Sequence, residues 1–68
     1  MENKLEELRI QMGWTQQELA ERVGVSRQTV ISLEQGRYNP SILLAHSISR
    51  VFRTSIERVF IFGEEEPS

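Results

Sequence analysis

The stretch Thr15-Gln16-Gln17-Glu18-Leu19-Ala20-Glu21-Arg22-Val23-Gly24-Val25-Ser26-Arg27-Gln28-Thr29-Val30-Ile31-Ser32-Leu33-Glu34-Gln35-Gly36 reads as two short helices separated by a glycine break. Thr15 followed three residues later by Glu18 is a capping box, in which each side chain satisfies an orphan backbone N–H of the first turn. Leu19, Ala20 and Val23 then recur at helical spacing, and Gly24 supplies the left-handed residue that ends the helix. Ser26 caps the next helix. Its Val30 and Leu33 face inward, while Gln28, Ser32 and Gln35 point out. Side chains that both donate and accept hydrogen bonds, with Arg27 beside them, suit the reading of base edges in a major groove.

Upstream, a first helix is expected from about Lys4 to Met12, stopping at Gly13. Leu5, Leu8 and Met12 define its apolar stripe, and Arg9 falls inside that stripe. Glu34 repeats the oddity, on the same side of its helix as Val30 and Leu33. A charge turned toward a core is costly unless it is paired. The economical reading is an Arg9–Glu34 salt bridge that holds the first helix to the end of the third. Downstream, Pro40 forces Asn39 into an extended conformation. Ser41 then caps a fourth helix that continues to about Phe52. Ile42, Ala45, Ile48, Ser49 and Phe52 make its inward face, and Leu44 and Val51 widen that arc, which suggests a second contact such as another protomer. Ser55 caps a short fifth helix, Ile56 to Phe60, and Val59-Phe60-Ile61-Phe62 form a continuous apolar run.

Five phrases in register resemble the Cro/C1-type helix-turn-helix regulators, the XRE-like family. They are Gly13-Trp14-Thr15-Gln16, Glu18-Leu19-Ala20, Gly24-Val25-Ser26-Arg27-Gln28-Thr29, Leu33-Glu34-Gln35-Gly36 and Arg37-Tyr38-Asn39-Pro40-Ser41. The similarity runs from about Leu5 to Phe60. It implies an all-α, compact five-helix, lambda-repressor-like DNA-binding domain over residues 1–63, with the helix-turn-helix at about 15–35 and a dimerisation segment at about 56–62. It also implies the Arg9–Glu34 pair and a brace between Gln16 and Gln28; where the family often has glycine or asparagine this chain has Arg53, which either takes φ > 0 with some strain or marks a local change of turn. Short members of the family often dimerise through the fifth helix and an appended strand. Here residues near Ile61 and Phe62 can pair antiparallel with Met1–Asn3, and Leu44, Val51, Val59, Phe60, Ile61 and Phe62 make up the expected dimer contact. The alternative is that Phe60 and Phe62 cover the first helix within a monomer.

The expected DNA contacts are Thr15, Gln16, Ser26, Arg27, Gln28, Thr29, Ser32, Gln35, Arg37, Tyr38 and Asn39. Gln28 can bond bidentate to adenine N6 and N7, and Ser32, one turn on, can reach several base edges. Arg27 suits a guanine or a flanking phosphate, and Thr29 a thymine methyl or a phosphate oxygen. Gln16 stands where exposed amides at a helix start favour an anion. Arg37, Tyr38 and Asn39 suit backbone phosphates, which set register without reading sequence. Two protomers related by a two-fold axis then call for an inverted-repeat operator.

Composition narrows the alternatives. The 68 residues leave room for one domain, and a core this small gains from a partner subunit. Eight basic against ten acidic residues give a net charge of −2, unusual for a DNA-binding domain. Glu64, Glu65 and Glu66, however, belong to a tail (64–68) read as acidic, disordered and solubilising, and the charge between Ser26 and Pro40 is locally positive. Without cysteine, and with His46 alone, no metal site or cofactor is expected. No aspartate and no nucleophile–base constellation are present, which argues against an enzyme. The absence of a spanning run or a signal peptide points to a soluble cytoplasmic protein. Repression is expected over activation, because nothing beyond the DNA-binding domain is present to recruit polymerase. The rival function is that of an antitoxin-like or adaptor subunit acting through a protein partner.

Overall fold

The computed structural model describes residues 2–61, which form five helices: α1 (Leu5–Met12), α2 (Gln16–Val23), α3 (Arg27–Glu34), α4 (Ile42–Val51) and α5 (Ile56–Val59). Their ends follow local chemistry. α1 stops at Gly13 and α2 at Gly24, both left-handed at φ 75 and 87. The open space around both glycines shows that backbone conformation, not crowding, requires them. Thr15 and Glu18 close a full capping box on α2. Ser26 and Ser41 each accept the N–H three residues on, at 3.1 Å. Ser55 precedes α5 in the extended conformation of a cap, but its side chain makes no capping bond.

The core forms where these helices turn their apolar faces together. Leu5, Leu19, Ala20, Val30, Leu33, Ala45, Ile48, Val59 and Phe60 are all buried. The last two correct the expected dimer contact. At 0% and 1% exposure, Val59 and Phe60 fill the chain's own interior and have no surface to offer a partner. Leu44 and Val51 pack, half-buried, on the same cluster, so the wide arc of α4 is used within the protomer. Of that expected set, Ile61 is exposed, and Phe62 lies outside the described residues, as does the acidic tail.

Two further expectations change. Ile42 is 82% exposed although Ser49, two turns on at nearly the same angle, is buried, because Ile42 sits in the first turn of α4, before the core contacts of that helix begin at Leu44 and Ala45. Met12 is also exposed, since Trp14 covers that end of the core and stacks on Phe52 with ring centroids 5.5 Å apart. α5 ends at Val59, one residue early, because Phe60 turns extended and forms an antiparallel bridge with Asn3. Backbone bonds from Lys4 N to Val59 O (2.7 Å) and from Ile61 N to Glu2 O (2.9 Å) flank that bridge. The pairing of the two outer segments thus exists within one chain, centred on Phe60.

Candidate nucleic-acid interface

α3 is held from behind and presented in front. Its rear residues Val30 and Leu33 are 1% exposed. Its last residue, Glu34, is gripped by two side chains. The Arg9 Nε donates to Glu34 Oε2 at 2.7 Å, and Gln16 Nε2 donates to Oε1 at 3.1 Å. Arg9 Nη1 also donates to the Trp14 carbonyl at 2.9 Å. The pair is largely removed from water, with side-chain exposures of 13% for Arg9 and 6% for Glu34. Such a pair contributes less to net stability than to definition, since desolvation offsets most of its attraction. Its effect here is geometric: the start of α2 and the end of α3 share one carboxylate, and α1 supplies the counter-charge.

The Gln16 bond revises the expected Gln16–Gln28 brace. With an N–H committed to Glu34, Gln16 braces the far end of α3, and Gln28 extends into solvent. Thr15 and Ser26 also have structural tasks. The Thr15 hydroxyl accepts from Glu18 N, and Ser26 Oγ accepts from Thr29 N while lying 3.0 Å from Thr29 Oγ1.

The front of α3 brings the other named residues together. Ser26, Gln28, Thr29, Ser32 and Tyr38 line one open surface depression. Arg27 stands exposed on the first turn, Gln35 on the last, and Arg37 and Asn39 on the segment beyond. Gly36, at φ 73, reverses the chain there, and Arg37 N–H returns to Ser32 O at 3.2 Å. Because Arg9 neutralises Glu34, the charges left to this face are Arg27 and Arg37. The face is therefore polar, exposed and locally cationic despite the acidic whole.

Two contacts had no clear sequence signal. Arg22 lies 4.2 Å over the Trp14 ring, which ties the end of α2 to the segment before it. Asn3 reaches α3: its Nδ2 donates to the Leu33 carbonyl at 2.7 Å. An asparagine next to a helix start suggests a cap but not a long-range partner. Among the described residues no group of His, Asp or Glu side chains could hold a metal ion, and no helix is long and apolar enough to cross a membrane.

Two capped helices about a left-handed glycine, the second presenting a polar cationic face, define a helix-turn-helix DNA-binding protein. The chain belongs to the Helix-turn-helix family in its Cro/C1, XRE-like form, and the family's sequence model matches residues 5–59. It is 53% identical over 66 residues to an uncharacterized HTH-type transcriptional regulator of Archaeoglobus fulgidus, covering 97% of this chain and 93% of that one. A second uncharacterized HTH-type transcriptional regulator, from Bacillus subtilis, is 49% identical over 96% of this chain and 98% of its own length. Among solved structures, the restriction-modification controller protein of Aeromonas hydrophila superposes with a TM-score of 0.75 at 27% identity, over 81% of this chain and 83% of that one. The chain is accordingly a transcriptional regulator by family, and not an enzyme.

Proposed function

We propose that this protein is a repressor that binds an inverted-repeat operator as a homodimer, with one α3 in each of two successive major grooves. The observation that carries the reading is the two-sided character of α3. Its back is locked by the Arg9–Glu34–Gln16 network, and its front leaves Gln28, Ser32 and Arg27 available to base edges. Gln28 reads adenine, Ser32 and Thr29 contact neighbouring positions, and Arg37, Tyr38 and Asn39 set register on phosphates. Few phosphates are neutralised per protomer, so useful affinity requires two protomers on one site. Ile61, exposed beyond the bridge to Asn3, is the contact we assign to the partner copy. Repression follows from occupancy: a protein seated in the groove excludes others from the same DNA. Such a protein works in the cytoplasm, where its DNA is.

Selection of binding sites from random duplex DNA with purified protein tests this reading. An enriched inverted repeat, its half-sites about one helical turn apart (roughly 34–36 Å), is the expected result. A single enriched half-site would remove the symmetric dimer. No enrichment by folded protein would remove the operator and turn the search to a protein partner.

A further inference from the structure

Asn3 lies outside the helix-turn-helix, yet its side chain and backbone together link three parts of the molecule. Its Oδ1 accepts the N–H of Leu5 at 3.0 Å and so caps α1, where Lys4 makes no side-chain cap. Its Nδ2 donates to the carbonyl of Leu33, thirty positions away, at 2.7 Å. Its backbone is pinned opposite Phe60 between the Lys4–Val59 and Glu2–Ile61 hydrogen bonds. Leu33 is the penultimate residue of α3, where carbonyls have no partner within the helix. That carbonyl also accepts from Gly36 N at 3.0 Å, so Asn3 grips the turn that leads to Arg37. The next residue, Glu34, is the one that Arg9 and Gln16 hold.

We propose that Asn3 is a positioning residue for DNA reading: its carboxamide fastens the end of α3 to the bridge between the segments before α1 and after α5. The inference rests on α3 being the base-reading helix and adds what sets its angle. The Glu34 network supports the end of α3 through the helix-turn-helix and α1, whereas Asn3 supports it from the bridged segments. Asn3 holds a backbone carbonyl at the end of α3 and Arg9 with Gln16 hold the side chain of the next residue, so that end is fixed at two separate groups. Since Ile61 continues directly from the bridge, Asn3 gives the segment after α5 a polar link to the end of α3, beside the apolar packing of Val59 and Phe60.

Two variants separate the cap from the anchor. Asn3→Asp and Asn3→Ser each keep an oxygen able to accept the Leu5 N–H. Asp carries no N–H donor, and Ser is too short to reach Leu33. The measurements are the melting temperature, affinity for the selected operator, affinity for unrelated duplex DNA, and exchange of the Gly36 amide. Both variants should melt within a few degrees of the parent. They should bind the operator at least ten-fold more weakly, bind unrelated DNA within two- to three-fold of the parent apart from any charge effect of Asp, and exchange Gly36 faster. Folded variants whose operator affinity is unchanged, or falls only in step with that for unrelated DNA, would overturn the proposal. If Asn3→Ser fails to fold, Asn3→Asp decides alone. A parent protein that selects no operator is a different failure, of the DNA-reading function itself, visible before any variant is made.

Discussion

Gln28 and Glu34 lie six residues apart on one short helix and face opposite tasks. Gln28 is exposed and makes no structural bond, so its removal should leave the fold intact. Gln28→Ala should cost about 1–3 kcal/mol on the operator and relax preference at one base position per half-site. Equal weakening on every sequence in a binding-site profile would take Gln28 out of base reading. Glu34 is the reverse case, a buried acceptor for Arg9 and Gln16. Glu34→Ala leaves the Arg9 guanidinium desolvated and unpaired, and should destabilise the protein by about 3–5 kcal/mol in denaturant titration. Replacing both charges together, Arg9→Met with Glu34→Leu, should recover most of that loss. If the double variant is no more stable than Glu34→Ala, the cost is not that of a stranded charge. Arg53 stores a smaller strain at φ 57, where a Cβ is disfavoured. Arg53→Gly should raise the melting temperature slightly, since relief of about 1–2 kcal/mol exceeds glycine's entropic cost of roughly 0.5–1 kcal/mol.

Among the elements, those whose ends are set by neighbouring residues were legible and those set by distant ones were not. Thr15 with Glu18, Ser26, Ser41, Gly13 and Gly24 mark boundaries because cap chemistry acts within three or four residues. Arg9 and Glu34 could be paired from sequence because each is a charge on an apolar stripe. The outward set on α3 follows from the same periodicity. Ile42, Val59 and Phe60 were misread for one shared reason: periodicity names a face but not what lies against it. Ile42 precedes the first core contacts of α4, at Leu44 and Ala45, and Phe60 turns extended to bridge Asn3 and is buried there. Gln16 was placed on the correct helix end but expected against Gln28, whereas its Nε2 donates to Glu34, a partner that spacing along the chain does not single out. The segment after α3 has a more even task. Arg37 is exposed beyond Gly36, and Arg37→Ala should weaken binding to all sequences alike and reduce the salt slope by about one unit. Affinities measured across a salt series test this, and an unchanged slope would move Arg37 off the phosphates.

For the molecule as a whole, the small core explains why the segment after α5 matters. Val59 and Phe60 are among the nine apolar residues of the buried cluster among the described residues, so the end of α5 and the residue after it serve folding first. Phe60→Ala should cost about 3–5 kcal/mol and unfold much of the protein near ambient temperature at any concentration. Ile61→Lys, by contrast, should leave melting nearly unchanged in dilute solution while raising the dimer dissociation constant measured by ultracentrifugation. If Ile61→Lys unfolds the chain, or leaves association untouched, the partner contact lies elsewhere. The net charge of −2 is compatible with DNA binding because the distribution decides it: Glu34 is neutralised internally, leaving Arg27 and Arg37 on the presenting face. We propose that the front of α3 is the DNA-reading surface. Titrating isotope-labelled protein with a selected half-site duplex and following backbone amide shifts tests it most directly. The largest changes should fall on Arg27–Ser32 and Arg37–Asn39, with α5 and the outer face of α4 nearly still. Changes centred on Ile42, Leu43 and His46, with Gln28 unmoved, would contradict it.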